Sequence, residues 1–193
     1  TPEQRAENDR RFAREDSIRK AYMATFILTD SSEKGRLLAF SAGNHGVISK
    51  FLEDHPDARA LNLLKSLSHK DMIDVTRSIL DDSYNAFDAI LCPRVENEFL
   101  SPYKSFFIGR FGTELSKDEL SVPANLIKWV QDSITVLRDP KAWSIPMSPI
   151  GVYKARMADV RSRNIFFVAL ARTLGIDARK DPVTGKIQYK EAG

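Results

Sequence analysis

Cysteine is almost missing from this chain: Cys92 is the only one in 193 residues. One thiol excludes an internal disulfide and any cysteine-rich zinc site, and it leaves the redox compartment open. Histidine is nearly as scarce, with His45, His55 and His69 all in the first half of the chain. His45 sits between Gly43 and Gly46 with no second metal ligand at recognisable spacing, so neither a metal nor a cofactor is expected. No stretch approaches the roughly 18 to 20 apolar residues of a membrane span. No charged-then-apolar export signal opens the chain, and a processed secreted protein, a cytoplasmic one and an excised fragment all fit such a start. Charge of one sign is lacking as well. The formal net charge is +3, and Lys and Arg alternate with Asp and Glu, so no concentrated basic face for nucleic acid is expected. There is no internal repeat and no low-complexity tract.

What remains is ordinary globular sequence, 42% hydrophobic and 28% charged, long enough for one sizeable domain or two small ones. Residues 5–28 read as an exposed helix docking one edge through Ile18, Tyr22, Thr25 and Phe26, and residues 30–35 as a loop. Asn44 is placed to cap a helix carrying Val47, Ile48, Phe51 and Leu52; Asp57 caps a third with Leu61, Leu64 and Leu67. Ser68 and Asp71 form a capping box with Asp in place of Glu, opening a fourth helix striped by Met72, Val75, Ile79 and Tyr84. Residues 87–91 are an apolar run of either type, and residues 92–103 are broken by Pro93 and Pro102. Pro123 starts a fifth helix through Leu126, Ile127, Val130, Ile134 and Leu137, which Asp139-Pro140 ends. Residues 143–151 read as an extended, proline-containing connection.

The most informative segment is Asn164-Ile-Phe-Phe-Val-Ala-Leu-Ala-Arg-Thr-Leu-Gly-Ile-Asp-Ala-Arg179. Apolar residues on nearly every side predict a buried helix from about Ser162 to Leu174, stopped by Gly175 in the left-handed cap. Short strands follow at 176–180 and 186–189, separated by the turn Asp181-Pro-Val-Thr-Gly185. Thr184-Gly185-Lys186 resembles a phosphate loop in residue type only, since no upstream glycine precedes it.

That helix-to-strand junction resembles the transglutaminase-like superfamily of papain-related folds. Arg172-Thr-Leu-Gly-Ile-Asp-Ala-Arg179 is similar to the family's closing pattern, with Asp177 where proline is common, and Asn125-Leu-Ile-Lys-Trp-Val130 to its tryptophan-bearing helix. Ser148-Pro-Ile-Gly-Val-Tyr, Ala158-Asp-Val-Arg-Ser-Arg, Asp181-Pro-Val-Thr-Gly-Lys-Ile-Gln-Tyr and the segment Cys92 to Lys104 are similar to a large, exported bacterial subgroup. The resemblance implies a mainly α fold: a multi-helix N-terminal region over 1–120, then over 121–193 the helical start of a transglutaminase-like α+β core with a short C-terminal strand pair. It also implies an extracytoplasmic location, at the periplasm or cell surface, and a larger polypeptide supplying the rest of the core.

Catalytic relatives carry cysteine, then histidine, then aspartate, with the cysteine about fifteen residues before the glycine. A thiolate there is stabilised by unpaired N–H groups and the helix dipole. Here that position holds Val160, and no histidine follows it. No catalytic residue transfers. The residues around the vacated position, Asp159, Arg161, Ser162 and Arg163, become candidates for binding an anionic group of a peptide or glycan. Ser162 is expected to cap the helix rather than act as a nucleophile, and Cys92 to be a buried structural thiol. Three functions stay open: a non-catalytic ligand-binding domain, a peptidase or acyl transferase whose base lies beyond Gly193, and a helical scaffolding module.

Overall fold

The structure, a computed structural model, describes residues 1–24, 31–86, 90–137 and 145–190, and the side chains of 22–24 fall outside that description. It is mainly helical, as expected, with a short antiparallel strand pair near the C-terminus. Two compact units divide it, Thr1–Val75 and Thr76–Gly193.

The first unit holds α1 (Pro2–Ala24), α2 (Glu33–Phe40), a 3-10 turn (Ala42–Asn44), α3 (His45–Asp54), α4 (Ala58–Lys65) and α5 (His69–Asp74). Its core is drawn from α3, α4 and α5: Ile48, Phe51, Leu52, Leu63, Leu64 and Met72 are buried. Asp57 caps α4 through Ala60 N–H at 2.9 Å, and Ser68 caps α5 through Asp71 N–H at 3.1 Å, both as expected. Three readings change. Residues 30–35 are not all loop, because Ser32 accepts from Gly35 N–H at 3.1 Å and starts α2. Asn44 precedes α3 without capping it; its Nδ2 donates to Met72 O and Val75 O, each at 2.9 Å, and so closes the end of α5. Ile18 does not dock: it is 58% exposed, and every other described side chain of α1 is exposed too. The helix is largely polar and carries Glu7–Arg10, Glu7–Arg11 and Asp16–Lys20 pairs on its surface, which support it without a buried face. The side chain of Tyr22, and Thr25 and Phe26, lie outside the described residues.

The second unit contains α6 (Arg77–Asn85), α7 (Tyr103–Ile108), α8 (Lys117–Leu120), α9 (Pro123–Ser133), β1 (Thr135–Val136), α10 (Pro149–Ala155), β2 (Met157–Ala158), α11 (Val160–Thr173), β3 (Ala178–Lys180) and β4 (Ile187–Tyr189). The stripe expected to run through one helix is split between α5 and α6, because Val75 turns extended at ψ 135° ahead of the β-branched Thr76. α9 ends at Ser133, short of Leu137: Ile134 is extended and Thr135–Val136 pair in parallel with Met157–Ala158. Residues 143–151 are not extended throughout. Ser148 accepts from Gly151 N–H at 3.2 Å and Pro149 fills the first helical position, so α10 begins there. Phe87, Asp139, Pro140 and Trp143 lie outside the described residues.

α11 is the centre of this unit. Ile165, Phe166, Val168, Ala169, Leu170 and Ala171 are all fully buried. The core around it draws Tyr103 and Phe107 from α7, Leu115 and Leu120 near α8, Leu126 and Val130 from α9, and Val152 from α10. Residues before 121 thus share a core with those after it. The rings of Phe107 and Tyr153 meet Phe166 at 5.8 and 6.5 Å. α11 ends in a left-handed glycine cap, with Gly175 at φ 84°. Gly175 N–H donates to Arg172 O at 3.0 Å and Ile176 N–H to Ala171 O at 2.9 Å, the two bonds that finish a helix and release the chain into β3. The β3–β4 hairpin closes through Asp181, whose Oδ1 accepts from Val183 and Thr184 N–H at 2.8 Å each.

Candidate functional site

The site predicted from sequence is the opening of α11, and its local chemistry differs from the expectation in one respect. The cap is Asp159: its Oδ1 accepts from Ser162 N–H at 2.9 Å, and the helix begins at Val160, two residues earlier than expected. Ser162 is in the first turn, fully buried. Its Oγ donates to Asp159 Oδ2 at 2.7 Å and accepts from Met147 N–H at 2.9 Å. An ionised carboxylate is a stronger N-terminal cap than a hydroxyl, because it also answers the helix dipole. Burial pushes the Asp159 carboxyl up, but bonds from the Ser162 hydroxyl and the first-turn N–H groups outweigh it and hold the group below its ordinary value. Val160, at the position of the missing nucleophile, is 53% exposed.

The two arginines part company. Arg161 Nε meets Glu96 Oε1 at 3.0 Å, and Lys180 Nζ from β3 meets Glu96 Oε2 at 2.6 Å. Arg163 lies two residues further, about 200° around the helix. It lines a cavity of about 220 Å³ between α9, α11 and β4. Asn164 and Gln131 join it there, and Val130, Phe167 and Ile187 supply apolar wall. The structure therefore brings Asp159 and Ser162 together but sends Arg161 and Arg163 to different flanks.

Glu96 belongs to the loop of residues 92–98, which folds on a buried carboxylate. Glu98 accepts from Val95 N–H at 2.7 Å and Glu96 N–H at 2.9 Å. Buried Arg172 ties that loop to α11 and β3: Nη1 donates to Cys92 O at 3.3 Å and Arg94 O at 3.1 Å, and Nε to Ala178 O at 2.9 Å. Cys92 is half-buried rather than buried, in irregular backbone with no helix starting at it. It contributes its carbonyl here. The expected strand after Gly175 is thus secured by a residue of the same Arg172-to-Arg179 segment that carried the resemblance.

Glu96, Gln131, Asn164 and Lys180 were not singled out from sequence. Glu96 lies 65 residues from Arg161 and 84 from Lys180, beyond the reach of any helical or strand period. Gln131 and Asn164 stand on two different helices, and only packing of α9 against α11 makes them neighbours.

The three histidines all belong to the first unit. His55 lies against Phe51 at 5.0 Å between ring centroids, and His69 against Phe40 at 4.7 Å. His45 is half-buried with Nδ1 3.3 Å from Ala42 O. These are packing environments. Among the described residues no cluster of His, Cys, Asp or Glu forms a metal site, and no helix is long and apolar enough to cross a membrane. No family model matches this chain, and neither a curated protein nor a solved structure matches it.

Proposed function

We propose that this chain is the helical N-terminal region and the opening of the core of a transglutaminase-like protein that has given up thiol catalysis at α11 and binds an anionic group of a peptide or glycan. The observation that carries this reading is the start of α11. An apolar Val160 stands first in the helix, and the neighbouring polar groups, Asp159 and Ser162, are committed to each other. A valine side chain has no proton to lose and no lone pair to offer. The buried Ser162 hydroxyl already holds a donor and an acceptor, and the group that takes its hydrogen bond is a carboxylate held below its ordinary pKa, too weak a base to activate it. That weighs against the reading as a serine peptidase or acyl transferase.

Binding is supported by local charge. Arg161 and Lys180 share the single carboxylate of Glu96, which leaves one positive charge in excess, and Arg163 pairs with no carboxylate among the described residues. The carboxylate of Asp159 is engaged by the first turn of α11. The subgroup resemblance supports a location outside the cytoplasm, at the periplasm or cell surface. One observation favours the scaffolding alternative: the polar, exposed α1 buries no described side chain.

The test is a nuclear magnetic resonance titration of the folded chain with acetate, phosphate and glucuronate, repeated on Arg161→Ala and Arg163→Ala. Saturable shifts near α11 that weaken in at least one variant support the proposal. No binding, or affinity unchanged in both, removes it and leaves the scaffolding alternative.

A further inference from the structure

The cavity between α9, α11 and β4 has a chemistry of its own. Its walls are apolar, from Val130, Phe167 and Ile187, and its polar members are the Arg163 guanidinium, the side-chain amides of Gln131 and Asn164 and the Tyr189 hydroxyl. No acidic residue lines it, and among the described residues Arg163 is in no ion pair. It is an open cleft of about 220 Å³, with room for a single side chain with a carboxylate.

We infer that this cavity receives the C-terminal residue of a peptide, with the free α-carboxylate on Arg163 and an apolar side chain against Val130, Phe167 and Ile187. The inference rests on the ligand-binding reading above and selects among its ligands. A guanidinium takes a carboxylate through two parallel N–H bonds, which fixes direction as well as charge. The amides of Asn164 and Gln131 provide both donors and acceptors for the second carboxylate oxygen and the terminal peptide N–H. The walls decide between peptide and sugar. A uronate also offers a carboxylate, but it carries hydroxyls around its ring. Hydroxyls turned toward the three apolar walls would go unsatisfied there, at a cost of roughly 1 to 3 kcal/mol each. An aliphatic or aromatic side chain gains from the same walls.

The experiment is calorimetric titration of the whole chain with acetyl-Gly-Ala-Phe as the free acid, its C-terminal amide, and glucuronate. Arg163→Gln and Arg161→Ala are compared with the parent after circular dichroism confirms that each is folded. The expected result is saturable binding of the free acid, about tenfold weaker binding of the amide and of the acid to Arg163→Gln, and a loss in Arg161→Ala smaller than that in Arg163→Gln. Equal binding of acid and amide, or an Arg163→Gln variant that binds as the parent does, overturns the inference. Glucuronate binding that depends on Arg161 while the peptide does not bind overturns it too, but leaves the broader anion-binding proposal intact. Absence of saturable binding by all three probes overturns both.

Discussion

Ser162 Oγ donates to Asp159 Oδ2 across 2.7 Å, while Asp159 Oδ1 receives the Ser162 backbone N–H at 2.9 Å. One carboxylate thereby satisfies two groups of a single residue at the opening of the most buried helix of the second unit. Removing it leaves an uncapped helix and a buried hydroxyl with one partner fewer. Asp159→Ala should cost about 0.5 to 2 kcal/mol by urea unfolding at neutral pH.

The same pair gives a pH dependence of definite sign. The folded Asp159 carboxyl titrates below its ordinary value of 3.8. Its stabilising contribution is therefore complete above the unfolded value and is lost as pH falls through the folded one. The stability gap between the parent chain and Asp159→Ala should be constant from about pH 6 to 8 and shrink below about pH 4. A gap that widens on acidification would contradict the assignment of Asp159 as the cap.

Phe166 sits at the crossing of α7, α9, α10 and α11, fully buried, with Phe107, Trp129 and Tyr153 within 6.5 Å between ring centroids. Phe166→Ala should cost about 3 to 5 kcal/mol, since several helices anchored elsewhere meet there and cannot all collapse into the gap. A loss below about 1 kcal/mol would place α11 wrongly.

Arg172 holds three carbonyl oxygens from two separate segments. Arg172→Met keeps most of the volume and removes every donor, leaving those acceptors partly unsatisfied. The expected cost is about 2 kcal/mol or more. Amide exchange should quicken at residues 92–98 and at β3 before it does in α9. Uniform loss of protection would mean that Arg172 acts on global stability alone.

Glu96 makes two ion pairs of unequal burial. The Lys180 side chain is 17% exposed and that of Arg161 38% exposed. Screening is weaker where water is excluded, so a double-mutant cycle should give Glu96–Lys180 a larger coupling than Glu96–Arg161, the latter within about 1 kcal/mol. Equal couplings, or the reverse order, would contradict the packed position of Lys180.

Much of this fold was legible because its signals are local. Asp57, Ser68 and Pro123 act within one turn of the helices they open, and Gly175 needs only its own positive φ. The apolar run of α11 announced its burial without reference to any partner. What escaped was set by competition or by distance. Ser162 and Asp159 are both good caps, and the charged one prevailed. Ile134 and Leu137 fit a helical stripe, yet pairing of Thr135–Val136 with Met157–Ala158 ends the helix before Leu137. The cavity joins Gln131 to Asn164 and Tyr189 across three elements, so no spacing along the chain could have shown it.

The central claim is that this helix opening binds without catalysing. It is tested most directly by steady-state turnover of the folded chain on a glutaminyl peptide between pH 6 and 9, scoring both amine transfer and amide hydrolysis. The account predicts rates equal to buffer for the parent chain and unchanged in Cys92→Ser. Turnover above buffer that Cys92→Ser abolishes would contradict it, because a thiol in irregular backbone would then be supplying the chemistry that Val160 cannot.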